Sequence, residues 1–202
     1  MALLQTLAPS VEPVSLSDAK TYLRLDSDLS QDDVLVGLLI GAARRYAEAY
    51  CNRSFITQKW RLTLDQWPGG LGGWNPVQLE RAPVQSVDSI VYIDMSGTTQ
   101  TITAPAAPAY ALELTGPVGR ITPGFGQIWP IPQPRIGAVQ INFTAGYGPA
   151  ATDVPEGIRN WMLVRIGTLY TNREEVAVMH KGSVQALPYV DQLLDPYRVT
   201  FA

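Results

Sequence analysis

The stretch SQDDVLVGLLIGAARRYAEAYCNRSF, from Ser30 to Phe55, decides how the rest of the chain is read. Its apolar residues recur at helical spacing, and one long helix is expected. Ser30 is placed to cap the start, with Asp33 three residues on, as in a capping box. Asp32 and Asp33 lie near the positive end of the helix dipole; Arg44, Arg45 and Arg53 lie toward the negative end. On a helical wheel, Leu38, Ala49, Ala42, Leu35, Tyr46, Leu39, Tyr50, Ala43, Val36 and Ile40 fill an apolar arc of roughly 200°, where an ordinary surface helix shows about 100° or a little more. The polar strip left over is Arg44, Arg45, Glu48 and two glycines, Gly37 and Gly41. A helix that apolar needs more than one partner. One is its own fold; the other is either more of that fold or a neighbouring subunit.

Working outward toward the N-terminus, Ser15 to Leu25 reads as a short helix, with Ser15 as cap and Asp18 at the third helical position. It is joined to the long helix by the polar turn Asp26–Leu29, so the two should pack as a hairpin. Residues 1–14 are expected to be extended, because Pro9 and Pro13 disfavour helix.

After the long helix the period changes from 3.6 to 2. In Ile56–Asp65, the residues Ile56, Gln58, Trp60, Leu62 and Leu64 alternate with Thr57, Lys59, Arg61, Thr63 and Asp65, the pattern of a half-buried strand. Trp67-Pro68-Gly69-Gly70 ends it. Short strands are expected at Val77–Leu79, Val87–Asp94, Thr99–Thr103, Tyr110–Leu114 and Gly119–Thr122, with Met95–Thr98 as a hairpin turn. Gly124 to Pro134 cannot be regular, since its prolines remove donors and fix φ. Ala138–Ala145 is a strong strand. Asp153 is placed to cap a third helix, with Pro155 near its first position. Ile158, Met162, Ile166 and Leu169, with Leu163 and Tyr170, form that helix's apolar face, and it should end near Asn172. Residues 173–187 are expected to be mobile, and Leu187–Val199 to carry a short helix stopped before Pro196.

The fold class expected is therefore α+β: a bundle of about three main helices with an inserted antiparallel β subdomain. Residues 1–66 and 138–202 would hold the helical core with flanking strands, and 67–137 the β-rich insertion. No internal repeat or low-complexity tract interrupts this plan.

Composition narrows the function. Hydrophobic residues make up 46% of the 202 and charged residues only 16%, well under the usual ~25%. Such a surface is either covered by partners or rich in uncharged β loops. The net charge of −3 and the lack of a basic run argue against gripping nucleic acid through its phosphates. Cys51 is the lone cysteine, so neither an intramolecular disulfide nor a cysteine metal cluster is expected, and a reducing compartment fits. No signal-peptide pattern follows Met1. The longest apolar run, Val34 to Ala43, is too short for a membrane span of about 20 residues.

Chemistry-bearing patterns are sparse. His180 is the single histidine, sits beside Lys181 and Gly182, and has no GxSxG elbow to serve. Cys51, near the end of an apolar helix, reads as a small core residue. Asp65, Glu80, Asp88, Asp94 and Glu113 are scattered without a spacing that singles out a catalytic pair. Asp32 with Asp33, and Glu174 with Glu175, are too few for a metal site. Gly119–Gly126 is not a phosphate loop, because Pro123 interrupts it and no Lys-Ser/Thr pair follows. Trp67, Trp74 and Trp129 could stack on sugars, or could anchor loops and fill an interface. No enzymatic activity, cofactor or metal is expected.

The segment LSDAKTYLRLDSDLSQDDVLVGLLIGAARRYAEAYCNRSFITQKWRLTLDQWP resembles the opening of tailed-bacteriophage head–tail connector (adaptor) proteins. In that family a short helix of the type "leaAKaaLRvd" leads to a helix of the type "DdallaalIaaAreyaEayTgR" and a strand beginning "li.Qtw"; here these are Leu16–Leu25, Asp32–Arg53 and Ile56–Leu64. Ile141–Glu175 resembles the family's strand, "aGy" turn and third helix, and Leu187–Val199 its C-terminal signature. Trp161-Met162 stands where the family has an alanine-rich helix start, and Cys51 where threonine is usual.

The resemblance implies a structural virion protein of the neck, assembled in the host bacterial cytoplasm. It would form a ring with copies of itself, dodecameric in the family's pattern, beneath the portal protein. DNA would pass through the lumen without sequence-specific binding. A tail-completion or tail-terminator protein would bind the other face. The acidic balance suits a channel along which DNA slides. Interface candidates are Gly37, Gly41, Arg44, Arg45 and Glu48 on the long helix, with the glycines allowing close approach by a neighbour or by the chain's own third helix. Leu193, Leu194, Tyr197 and Arg198 form a second group, and Trp129 with Ile131 in the proline-rich loop a third. The competing readings are a tail-completion or terminator protein, a carbohydrate-binding module built on the tryptophans, and an enzyme with a carboxylate site.

Overall fold

Alternation of apolar and polar side chains builds one half of the molecule, and 3.6-residue periodicity the other. The computed structural model describes residues 1–28, 30–69, 75–102, 110–172 and 192–200. They divide into two units. Residues 1–10, 57–147 and 199–202 form a sheet unit, and residues 11–56 and 148–198 a helical unit.

Among the described residues the sheet unit contains eight strands: β1 (Ala2–Leu7), β2 (Gln58–Leu64), β3 (Val77–Leu79), β4 (Val84–Ile93), β5 (Thr99–Ile102), β6 (Tyr110–Glu113), β7 (Gly119–Pro123) and β8 (Val139–Ala145). Five of them form an antiparallel sheet in the order β1-β2-β8-β4-β5, and three a second sheet in the order β3-β7-β6. β8 is the central strand because its inward residues need cover on both sides. Ile141 lies opposite Leu62 on β2 and Ile90 on β4, and Phe143 lies opposite Trp60 and Val87. These residues join Leu64, Trp67, Val77, Leu79, Val84, Tyr110, Ile121, Trp129 and Val139 in one apolar core.

Each expected strand forms. β4 begins at Val84 rather than Val87, and the extended N-terminus is itself a strand, β1. The Met95–Thr98 turn closes the β4–β5 hairpin, with the Asp94 and Gly97 N–H groups bonding back across it. β2 and β8 are hydrogen-bonded to strands of 67–137 within one sheet.

The helical unit holds α1 (Leu16–Leu23), α2 (Asp33–Cys51) and α3 (Glu156–Thr171), with 3-10 turns at Ala151–Asp153 and Asp195–Tyr197. Ser15 caps α1 as expected: its Oγ accepts the Asp18 N–H at 3.0 Å and donates to the Asp18 carboxylate at 2.7 Å. The caps expected of Ser30 and Asp153 do not form. α2 starts at Asp33, and Ser30 contributes only its carbonyl to a turn. Asp153 instead closes the preceding 3-10 turn by accepting the Ala150 N–H at 2.8 Å, and α3 begins after Pro155. Asn52, in the left-handed region at φ 53°, stops α2 short of Phe55.

Val36, Ile40, Ala43, Ala47 and Cys51 of α2 are buried, as are Ile158, Trp161, Met162 and Ile166 of α3 and Ala19 of α1. Lys20 of α1 reaches Asp33 of α2 at 2.9 Å, tying the hairpin. Pro196 lies inside the 3-10 turn Asp195–Tyr197, a first-turn position where its missing N–H costs nothing; the short helix expected before it falls mainly outside the described residues. The expectation of mobility at 173–187 falls outside the described residues. No helix among the described residues is long and apolar enough to cross a membrane.

Candidate functional site

α2 presents two unlike faces. One packs into the helical unit. The other carries Val34, 78% exposed, and Leu38, 64% exposed, followed by Arg45, Tyr46 and Ala49 in the open. Val34 and Leu38 are one turn apart, with Gly37 between them. A Cβ on Gly37 would meet nothing within 4 Å, so this glycine leaves an open notch beside the two apolar side chains. Gly41 differs. It is buried, and a Cβ there would meet Arg45 Nη1 at 3.4 Å and Glu12 Oε1 at 3.8 Å rather than the third helix.

The polar strip of α2 is not a solvated face throughout. Arg44 and Glu48 are buried. Arg44 Nε donates to Glu12 Oε2 at 2.7 Å and Nη1 to Glu48 Oε2 at 2.8 Å, while Glu48 Oε1 accepts the Phe55 N–H at 2.9 Å. Burial disfavours the Arg44 charge, but the hydrogen bond to Glu12 and the two facing carboxylates outweigh it and raise its pKa. Arg44 and Glu48 thus act as an internal strut joining residue 12, α2 and the turn after α2. Of the three charged candidates on the helix, Arg45 alone lies on the exposed face.

The C-terminal candidates are drawn into the helical unit. Leu194 is fully buried. Tyr50 Oη donates to Asp195 Oδ1 at 2.7 Å, Arg53 Nε donates to the Tyr197 carbonyl, and the Arg198 guanidinium lies 5.3 Å from the centre of the Tyr50 ring. Tyr197 also lies over Gly157, where a Cβ would come within 2.7 Å of its hydroxyl. Leu193 is the exposed apolar residue of this group.

The third group splits as well. Trp129 is buried and stacks on Trp67 with ring centres 4.1 Å apart and planes 6° apart. Trp67 Nε1 donates to the Pro130 carbonyl at 2.9 Å. The two indoles spend their faces on each other, so they offer no open platform for a sugar; Trp74 lies outside the described residues. Ile131 is exposed and borders a cleft of about 290 Å³ with Met95, Trp67 and Trp129. Phe125, 102% exposed, and Ile128 and Ile136 are further exposed apolar residues of the same loop. Sequence reasoning marked the loop through its prolines but passed over Phe125, Ile128 and Ile136. The available signal was a run of large apolar residues in a segment unable to form a strand or helix that would bury them.

The acidic groups do not converge. Among the described residues no three of His, Cys, Asp or Glu are placed to hold a metal ion. Asp94 is held down to about 2 by the hydroxyl of Ser96, the Gln100 amide and the backbone N–H groups of Thr98 and Ser96. Its work is to fix the hairpin turn. Glu113 is lowered by Thr115 and Arg120 in the same manner. Burial pushes the Cys51 thiol up to about 11, the value of an inert core group. His180 lies outside the described residues.

These features define an α+β protein with exposed apolar surfaces on its long helix and on its proline-rich loop. Residues 13–101 match the model of the phage gp6-like head–tail connector proteins. The fold extends the likeness to the full length. A chain in the neck of an empty gene transfer agent particle, computed with C6 symmetry, superposes with a TM-score of 0.78 at 23% identity, covering 100% of this chain and 97% of that one. A chain of the native gene transfer agent virion gives 0.78 at 22% identity with the same coverage. A chain of the native particle's neck, computed with C12 symmetry, gives 0.70 at 21% identity, again covering 100% and 97%. No curated protein matches the sequence.

Proposed function

We propose that the protein is a structural head–tail connector: a non-enzymatic adaptor that assembles with copies of itself into a ring in the neck of a phage-like particle and links capsid to tail. The observation that carries this reading is the coincidence of two likenesses. The connector family covers residues 13–101, and the fold of neck chains covers the entire length. The finer parts of the proposal follow the family. Twelve copies surround a lumen beneath the portal protein, a tail-completion or terminator protein docks on the far side, and assembly takes place in the host bacterial cytoplasm. DNA passes through the lumen without being read. The net charge of −3 supports this, since a channel that neutralised phosphates would hold its cargo.

The exposed face of α2 is the first surface assigned to neighbour contact. Val34 and Leu38 supply apolar area, the notch at Gly37 admits a close approach, and Arg45 borders them. Leu193 and the rim around Ile131 are assigned to other contacts, on a neighbouring copy or on the portal or tail-side protein. Contacts in such a ring are head to tail, so each copy uses two different surfaces.

The test is direct imaging. The purified chain, alone and mixed with the portal protein of the same particle, is examined by electron microscopy and light scattering. Rings, free or seated on portals, are the expected result. A chain that stays monomeric and does not bind the portal refutes the proposal.

A further inference from the structure

We infer that the five-stranded sheet continues from one copy of the chain to the next, the β5 edge of one copy lying along the β1 edge of its neighbour. The inference rests on the ring reading above and adds the surface through which that ring closes.

Among the described residues both outer strands of the sheet are open. β1 pairs with β2 alone and β5 with β4 alone. No described residue bonds to the outer backbone edge of either strand. All of β1 except Leu3 is exposed, and all of β5 except Ile102. An open edge is a row of unmet N–H and C=O groups, and monomeric proteins guard such rows with lysine, proline, inward charges or bulges. These two strands read ALLQTL and TQTI, without a charge or a proline. β1 departs from regular register only beyond Gln5, so Ala2–Gln5 present a flat edge. Leu4, exposed on that edge, adds apolar area.

The topology also supplies a direction. Every neighbouring pair in the sheet is antiparallel. With five strands, the two outer ones run the same way. Copies related by rotation about a ring axis keep their orientation along it, so β5 of one and β1 of the next meet as a parallel pair with evenly spaced bonds. The two edges lie on opposite flanks of one sheet, and they are different surfaces. This is the arrangement that head-to-tail closure requires, whereas a two-fold dimer would pair like with like. On β5 the bond from the Asp94 N–H to the Thr98 carbonyl at 2.9 Å sets the ladder. Alternation then turns the Thr99 and Thr101 N–H groups outward, toward the neighbour.

The experiment places one thiol on each edge. The chain carrying Leu4→Cys and Thr101→Cys is treated with a short bis-maleimide at concentrations rising to the millimolar range, beside each single variant, with light scattering in parallel. Native Cys51 is buried and does not react. The expected result is a ladder of covalent multimers from the double variant and monomer bands from each single one. Multimers by light scattering without a ladder would overturn the edge pairing while leaving the ring reading in place. A chain monomeric throughout, alone and with the portal protein added, overturns both. A second measurement does not depend on thiols. Thr101→Pro removes an outward donor without touching the internal ladder, and Leu4→Lys guards the other edge. Each variant should raise the concentration needed for assembly about tenfold or more with helix and strand content unchanged by circular dichroism. A mixture of the two should stop at dimers, since only one competent junction remains per pair. Wild-type rings from either variant refute the pairing.

Discussion

Replacing Val34 and Leu38 together by serine tests the role given to α2. Both side chains point to solvent in the isolated chain, 78% and 64% exposed. Complete burial of a valine or leucine stabilises by ~1.5–3 kcal/mol, so the area still open on the pair corresponds to roughly 3 kcal/mol per subunit junction. Its loss weakens each junction about 100-fold. Folding should be nearly untouched, because neither residue belongs to the core; a change within about 0.5 kcal/mol apiece is expected. The assay is sedimentation velocity over a concentration series, with urea melts of the same samples followed at the helix band. The double variant should assemble only at concentrations about two orders of magnitude above wild type while melting at nearly the same urea concentration. Assembly at the wild-type concentration would refute the assignment of this face. A large loss of stability would show that the two side chains are covered within the subunit.

The internal strut gives a prediction of the opposite kind. Glu48→Ala leaves the buried Phe55 N–H without its acceptor and Arg44 with Glu12 alone, and should cost about 3 kcal/mol in a urea melt; Glu48→Gln, whose one carbonyl oxygen can keep the Phe55 N–H bond while its amide N–H2 group faces the Arg44 donor, should cost somewhat less than Glu48→Ala. Trp129→Ala opens a hole beside Trp67 and should cost ~3–5 kcal/mol, read from the same melts. Asp94 titrates at about 2, below its ordinary value. Its contribution to the hairpin is therefore complete above about pH 4 and is lost as pH falls through about 2. Carboxyl NMR should show that midpoint, and the amide shifts of Ser96 and Thr98 should follow it and stay flat in Asp94→Asn. Cys51, pushed up to about 11 by burial, should resist thiol reagents at pH 8 until denaturant is added.

Local patterns carried much of this molecule. The Ser15–Asp18 cap, the long helix and the alternation that places Leu62 and Ile141 inward are each written within a few residues, and each forms. Long-range partners are another matter. Nothing near Arg44 in sequence announces that Glu12, thirty-two positions away, will draw it inside, so a wheel drawn for α2 alone puts Arg44 and Glu48 on the wrong side. The membership of the sheet is hidden for the same reason: β8 reads as a strand by itself, but only pairing shows that it joins β2 to β4. The candidate surface was half legible. Excess apolar character on α2 pointed to a second partner, and Val34 and Leu38 do remain uncovered. The C-terminal residues, by contrast, looked available because their docking on Tyr50 and Arg53 spans some 145 positions.

The division of the chain has a consequence for anyone who cuts it. The polypeptide passes between its two units four times, and neither unit is a continuous length. The stretch that matches the connector family, residues 13–101, holds α1, α2 and part of the large sheet but neither β8 nor α3. A fragment with those ends would be easy to identify and unable to fold. The recognisable signature and the autonomous building block are different objects here: a ribosome must deliver β8 before the large sheet can close, and α3 before the helical unit can.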